Sequence, residues 1–170
     1  MRYKLRISLF FIIFMAVGLT QADDDRSERV MALSSNMILW VVSHTEYAAP
    51  DPPSVEFIDQ MALRQRCYPG LDLTHVPQLW GIYDPVTATI YLDDDCRLDD
   101  QVSASYLLHE IVHHVQVAND AHLHVKCRGR LEGEAVTLQA QWLKEKGVEN
   151  PLEVLGIDER TLEIISSCLH

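Results

Sequence analysis

The stretch DQVSASYLLHEIVHHVQVAN, residues 100–119, carries the clearest helical pattern in the chain. Its apolar residues recur at spacings of three and four, which is typical of a helix packed into a protein core. Asp99 or Asp100 can cap the start of this helix, and Asn119 suits its end. The pattern therefore predicts a helix over about residues 100–118.

Two histidines of this helix, His109 and His113, are four residues apart, so their side chains project from one face. Their ring nitrogens can hold one metal ion. Glu110 follows the first histidine directly and can take a proton from a metal-bound water without being a ligand. This is the arrangement of the HExxH helix of zinc hydrolases. Two histidines and a glutamate buried without a metal would be strongly penalised, which favours a metal site over a plain core helix.

A catalytic zinc needs a third protein ligand and one open position. The metzincin pattern requires Gly at position 116 and His at position 119, where this chain has Gln116 and Asn119. In relatives of the metzincins the third zinc ligand is an aspartate, and Asp120 is one residue away from the position that this ligand takes. The remaining class takes a glutamate from a later helix.

A second helix is predicted over about residues 130–146, and it offers Glu132 and Glu134. At about 100° per residue, Glu132 falls on the apolar side of this helix and Glu134 at its rim. A carboxylate on a core-facing stripe needs a cationic partner. We therefore expect Glu132 to be the third metal ligand, with Glu134 as the alternative. Without a metal, the alternative for Glu132 is an ion pair with Arg128 or Arg130.

The run 106–116, followed by Glu132-Gly133-Glu134-Ala135, resembles the minimal core of gluzincin metallopeptidases and is similar to small bacterial HExxH domains. The resemblance covers about residues 79–143. It implies Zn²⁺ on His109, His113 and Glu132, which lowers the pKa of a bound water to about 7. Glu110 would then be the general base. Thermolysin-like members place Ala directly after the ligand, which would match Glu134.

The remaining segments predict an α+β fold that is mostly helical, with a small β-hairpin or sheet before the HExxH helix. A hairpin is expected over 79–83 and 87–92 with a turn at Asp84-Pro85. An edge strand near Ile90 to Leu92 would pair with an extended peptide substrate. The other expected elements are a helix over 27–43, a strand leading into a short helix over 54–66, and a last helix capped by Asp158.

Several further polar residues have expected roles around the metal. His124, Tyr83 and His75 are candidates for the second donor to a developing oxyanion. Gln116 and Gln139 either orient the metal ligands or pair with each other. The other histidines are expected to face solvent; they are His114, His122 and His170.

Export is indicated by the first 22 residues, which have a basic start, an apolar run and a small-residue cleavage site near Ala22. The apolar run is short for a membrane span, so we predict a signal peptide over 1–22, with an uncleaved anchor as the alternative. Residues 23–170 would form one domain, located in the periplasm or secreted. In that compartment the default for Cys67, Cys96, Cys127 and Cys168 is two disulfides of undetermined pairing.

The formal net charge of -11 argues against a nucleic-acid-binding protein, which needs clustered Lys and Arg. The sequence favours an exported zinc-dependent metallopeptidase that acts on peptide or protein substrates. The alternatives are a non-catalytic zincin-like binding module of the cell envelope and a helical protein whose motif is coincidental. Glu110 favours the enzyme, since a binding module has no need of a base.

Overall fold

A computed structural model describes residues 26–168. The predicted signal peptide and His170 lie outside the described residues. The chain divides into two units, Met1–Leu33 and Ser34–His170. The described part of the first unit, residues 26–33, is helical.

The described elements confirm an α+β fold with more helix than strand. They are, in chain order, α1 over 26–43, β1 (Ser54–Ile58), α2 (Gln60–Cys67), a 3₁₀ turn (Leu73–His75), β2 (Gly81–Asp84), β3 (Thr89–Asp93), α3 (Gln101–Ala118), α4 (Ala121–His124), α5 (Arg128–Glu145), α6 (Pro151–Val154) and α7 (Glu159–Ser166).

The sheet has the order β1-β3-β2. Strands β2 and β3 form the predicted antiparallel hairpin, and β1 adds to the other side of β3 in parallel. The expectation of an edge strand at Ile90 to Leu92 is therefore wrong. Val55 lies opposite Ile90 and Phe57 opposite Leu92, so β3 is the central strand, and all five of its residues are buried. The edge strand of the hairpin is β2.

Helix α3 packs against β2 and β3 and also against α5. Leu107, Leu108, Ile111, Val112 and Val115 are fully buried along it. A helix that is buried on most sides holds its polar side chains in fixed positions, because a tightly packed interior leaves them little freedom.

The start of α3 is capped by Asp100, whose carboxylate accepts a hydrogen bond from the Ser103 amide at 2.8 Å. Asp99, the other candidate cap, instead forms an exposed ion pair with Arg97. Helix α5 ends where the sequence predicts, with Gly147 in the left-handed region at φ 91°.

Asp100→Ala is expected to lower the free energy of unfolding, because the Ser103 amide loses the carboxylate that caps the helix. Chemical denaturation measures this value. Asp99→Ala is the matched control and should change stability much less, since exposed ion pairs contribute little. Equal losses in the two variants would contradict the assignment of the cap.

The four cysteines form one disulfide rather than the expected two. Cys127 is bonded to Cys168. Cys67 is exposed at the end of α2, whereas Cys96 is buried after β3 with its thiol 3.4 Å from the Ser103 carbonyl oxygen, and neither is in a disulfide. The expected second disulfide is absent, with one of the two remaining thiols in the core and the other at the surface. Within residues 26–168, no helix combines the length and the apolar character needed to cross a bilayer.

Candidate metal centre

Three predicted ligands meet between α3 and α5. The Nε2 atoms of His109 and His113 are 3.2 Å apart. Glu132 reaches across from α5 with Oε1 at 3.1 Å from His109 Nε2 and Oε2 at 3.2 Å from His113 Nε2. One potential ligand atom from each of the three side chains lies within 4.8 Å of the others.

Glu134, the alternative ligand, is directed elsewhere. Its Oε2 accepts hydrogen bonds from the Tyr47 hydroxyl at 2.9 Å and from Gln116 Nε2 at 2.8 Å. The ion pairs of Glu132 within the described residues are both with histidines, rather than with the arginines that precede it in α5. Of the two glutamates, Glu132 is therefore the one that meets the histidines.

Gln116 fixes the orientation of the His113 ring. Its Nε2 donates to the Leu131 carbonyl oxygen at 2.9 Å and to Glu134, two groups that can only accept. Its Oε1 must therefore accept from His113 Nδ1, at 2.9 Å. Nδ1 of His113 thus carries a proton in either charge state of the ring, and Nε2 faces Glu132.

Gln139 does the same for His109. The Ser105 hydroxyl donates to the Val102 carbonyl at 2.6 Å, so its oxygen accepts from Gln139 Nε2 at 2.9 Å. Gln139 Oε1 then accepts from His109 Nδ1 at 3.1 Å. The two glutamines orient the histidines and do not pair with each other, which resolves the two roles that the sequence left open.

The converging groups fit a divalent cation. Two imidazole lone pairs and a carboxylate that face one another repel unless a proton or a metal lies between them. Burial lowers the pKa of His113, but the hydrogen bond to Glu132 and the charges of Glu110 and Glu132 outweigh it and raise the pKa to about 9. Hydrogen bonds from both histidines hold the pKa of Glu132 far below its usual range. The donor set of two histidines and one glutamate is that of catalytic zinc sites.

Glu110 lies beside this cluster, with its side chain turned toward β2. It is 8% exposed, and burial raises the pKa of its carboxyl group. A Cβ at Gly81 would be 2.9 Å from Glu110 Cγ and 3.1 Å from Oε1. Glycine at this position therefore allows β2 to close over Glu110, and the Tyr83 backbone amide bonds to the carboxylate.

A cleft of about 1200 Å³ opens onto the cluster. His109, Glu110, His113 and Glu132 form its floor, and its walls include β2 and the end of α2. The site is thus accessible to a molecule larger than water.

Of the three candidates for the second donor, Tyr83 is the one that lines the cleft, whereas His75 and His124 are exposed and are not among its lining residues. The Tyr83 hydroxyl is 3.0 Å from His114 Nδ1. His114 Nε2 is 2.8 Å from the Asp51 carbonyl oxygen, to which it can only donate. With the ring proton on Nε2, His114 Nδ1 accepts a hydrogen bond from the Tyr83 hydroxyl, so this hydroxyl already has an acceptor other than a substrate.

The expectation that His114 faces solvent is wrong, since it is 6% exposed. It lies on the part of α3 that Tyr83 and Asp51 cover. His122 is exposed as expected, but it also lines the cleft.

Sequence reasoning missed Tyr47, Gly81 and Ser105. Tyr47 contacts Glu134 from 87 residues away, in a segment without regular structure. Gly81 and Ser105 have no pattern of their own. Ser105 could have been found from its position, because it lies one turn before His109 on a helix that the sequence predicts to be buried.

Replacing Gln116 or Gln139 by Leu is expected to weaken zinc binding roughly 10- to 100-fold, the usual cost of losing the partner that orients a metal-binding histidine. Competition with a fluorescent zinc chelator measures the affinity. Gln141→Leu is the matched control. Gln141 is an exposed glutamine of α5, the helix that carries Gln139, and its side chain donates a hydrogen bond to Glu145. An unchanged affinity in both site variants would contradict the orienting role.

A family model described as a domain of unknown function (DUF6647) matches residues 25–161. No curated protein and no solved structure matches the chain. The match covers most of the chain, from the first described helix to the start of α7, and it includes the whole candidate metal centre. The chain therefore belongs to the DUF6647 family.

Proposed function

We propose that the chain is an exported zinc-dependent metallopeptidase that hydrolyses peptide bonds. One observation carries this proposal: His109, His113 and Glu132 converge through Nε2, Nε2 and carboxylate atoms, while glutamine amides hold the Nδ1 proton of each histidine. A plain core helix has no need of two imidazole Nε2 atoms that face one carboxylate.

These three side chains would hold the ion, and the cleft leaves the site open to a substrate. When bound, Zn²⁺ would supply the Lewis acidity that makes water a nucleophile near neutral pH and polarises a carbonyl group. Glu110 would take the proton of the attacking water and pass it to the leaving amine. Its burial supports this role, because a raised pKa brings a carboxyl group closer to the pH at which it must exchange protons.

The corrected sheet order supports a peptide as the substrate. Strand β2 is an edge strand, it lines the cleft, and it lies directly against Glu110. An extended peptide can add to such an edge through main-chain hydrogen bonds. A peptide bound along β2 would lie in the cleft that the three metal ligands also line.

Metal-dependent cleavage of a mixed peptide library tests the proposal. We expect cleavage by the zinc-loaded protein, loss of cleavage after chelation, and recovery when zinc is returned. The products are identified by mass spectrometry. A protein that binds one zinc ion and cleaves no peptide would contradict the peptidase and favour the non-catalytic binding module.

A further inference from the structure

The part of α5 that carries Glu132 begins with features that weaken a helix. Its N-cap residue, Cys127, makes no side-chain capping hydrogen bond. Gly129 and Gly133 occupy the first and second turns, and glycine is the poorest helix former after proline. Glu132 lies between these glycines, so its position depends on whatever holds this segment in helical form.

Helix α7 packs directly onto the two glycines. A Cβ at Gly129 would lie 2.5 Å from the Ile165 carbonyl oxygen and 2.7 Å from that of Ser167. A Cβ at Gly133 would lie 2.7 Å from Ser166 Cβ and would also meet its hydroxyl. The glycines therefore form a groove that admits the backbone of the C-terminal segment, and any larger side chain would push that segment away.

The disulfide keeps α7 in this groove. Helix α7 has eight residues, none of them fully buried, and a helix of this length is not stable on its own. Cys127 and Cys168 join the residue before α5 to the second residue after α7. The covalent bond thus closes the C-terminal segment over the first turns of α5, next to the residue that completes the metal cluster.

We propose that the disulfide-tied C-terminal segment, residues 159–168, is a positioning element that holds Glu132 against His109 and His113. This inference rests on the proposed function, because it assigns the segment a role in metal binding. A carboxylate that is free to move leaves the pair of histidines, and zinc sites need their ligands at fixed distances.

A double-mutant cycle on zinc affinity tests the proposal in the full chain. The four proteins are the parent, Glu132→Gln, the double serine variant Cys127→Ser/Cys168→Ser, and the combination of both. We expect the serine variant to bind zinc about tenfold more weakly or worse, the range seen when a ligand loses its support. In that background, Glu132→Gln should weaken binding less than it does in the parent. Circular dichroism establishes that each protein is folded.

Gly133→Ala provides a second variant in which the disulfide remains. Helix propensity alone predicts that alanine strengthens α5, whereas the groove predicts that it displaces Ser166 and weakens zinc binding. Cys96→Ser is the control for removing a cysteine outside both the disulfide and the cleft lining, and it should leave the zinc affinity unchanged.

The outcomes separate the two proposals. If Glu132→Gln has no effect on zinc affinity in the parent, the proposed metal site is wrong. If Glu132→Gln weakens binding equally in both backgrounds, or if the serine variant and Gly133→Ala bind zinc like the parent, the metal site stands and the positioning role is wrong.

Discussion

Glu110→Gln is expected to abolish detectable peptide hydrolysis while zinc stays bound. The amide has nearly the shape of the carboxylate, so it fits against Gly81, but it cannot take a proton from water. Loss of a general base costs about 10²- to 10⁴-fold in rate. Glu110 is outside the group of three side chains that converge on the ion, so the metal content should not change.

Rates on a cleaved peptide, with zinc measured in the same samples, check this expectation. The variant should also be at least as stable as the parent, because burial penalises the charged form of Glu110 and the amide carries no charge. A variant that retains most of the parental rate would show that Glu110 is not the base. Loss of zinc together with activity would instead mean that Glu110 helps to hold the ion.

Glu132→Gln and Glu134→Gln should differ sharply in zinc affinity. Glu132 contacts both histidine Nε2 atoms, so its replacement removes a negatively charged ligand. Glu134 contacts Tyr47 and Gln116, so its replacement acts on the metal only through the amide that orients His113. We expect a loss of roughly 10- to 100-fold for Glu134→Gln and a clearly larger loss for Glu132→Gln.

Isothermal titration with zinc, or competition with a chelator, ranks the two variants. Glu145→Gln is a control on the same helix, since Glu145 is exposed and bonds to Trp40 and Gln141 away from the centre. The reverse order, with Glu134→Gln losing more affinity than Glu132→Gln, would contradict the ligand assignment.

The long helices were predictable because their apolar spacing is a local signal. The same spacing set Glu132 apart from Glu134, and of the two the structure brings Glu132 to the histidines. The glutamines beside the candidate metal centre were also predictable, because Gln116 and Gln139 fall on the inner faces of two helices that pack against each other.

The pairing of β1 with β3 was not predictable from local patterns, because it joins segments far apart in the chain. A short apolar strand such as β3 looks the same whether it is central or at an edge. His114 was misplaced for a related reason: α3 is covered on most sides, so a solvent-facing side could not be assumed. The contact of Tyr47 with Glu134 and the glycine groove under α7 depend on tertiary packing alone.

The metal content of the purified chain tests the central claim most directly. Elemental analysis of protein dialysed against trace zinc, combined with X-ray absorption at the zinc edge, reports both stoichiometry and ligand type. We predict one zinc ion per chain with two nitrogen ligands from imidazole and oxygen ligands from a carboxylate and water, lost in His109→Ala. A folded protein that takes up no stoichiometric zinc, or whose zinc is bound through sulfur, would contradict this account.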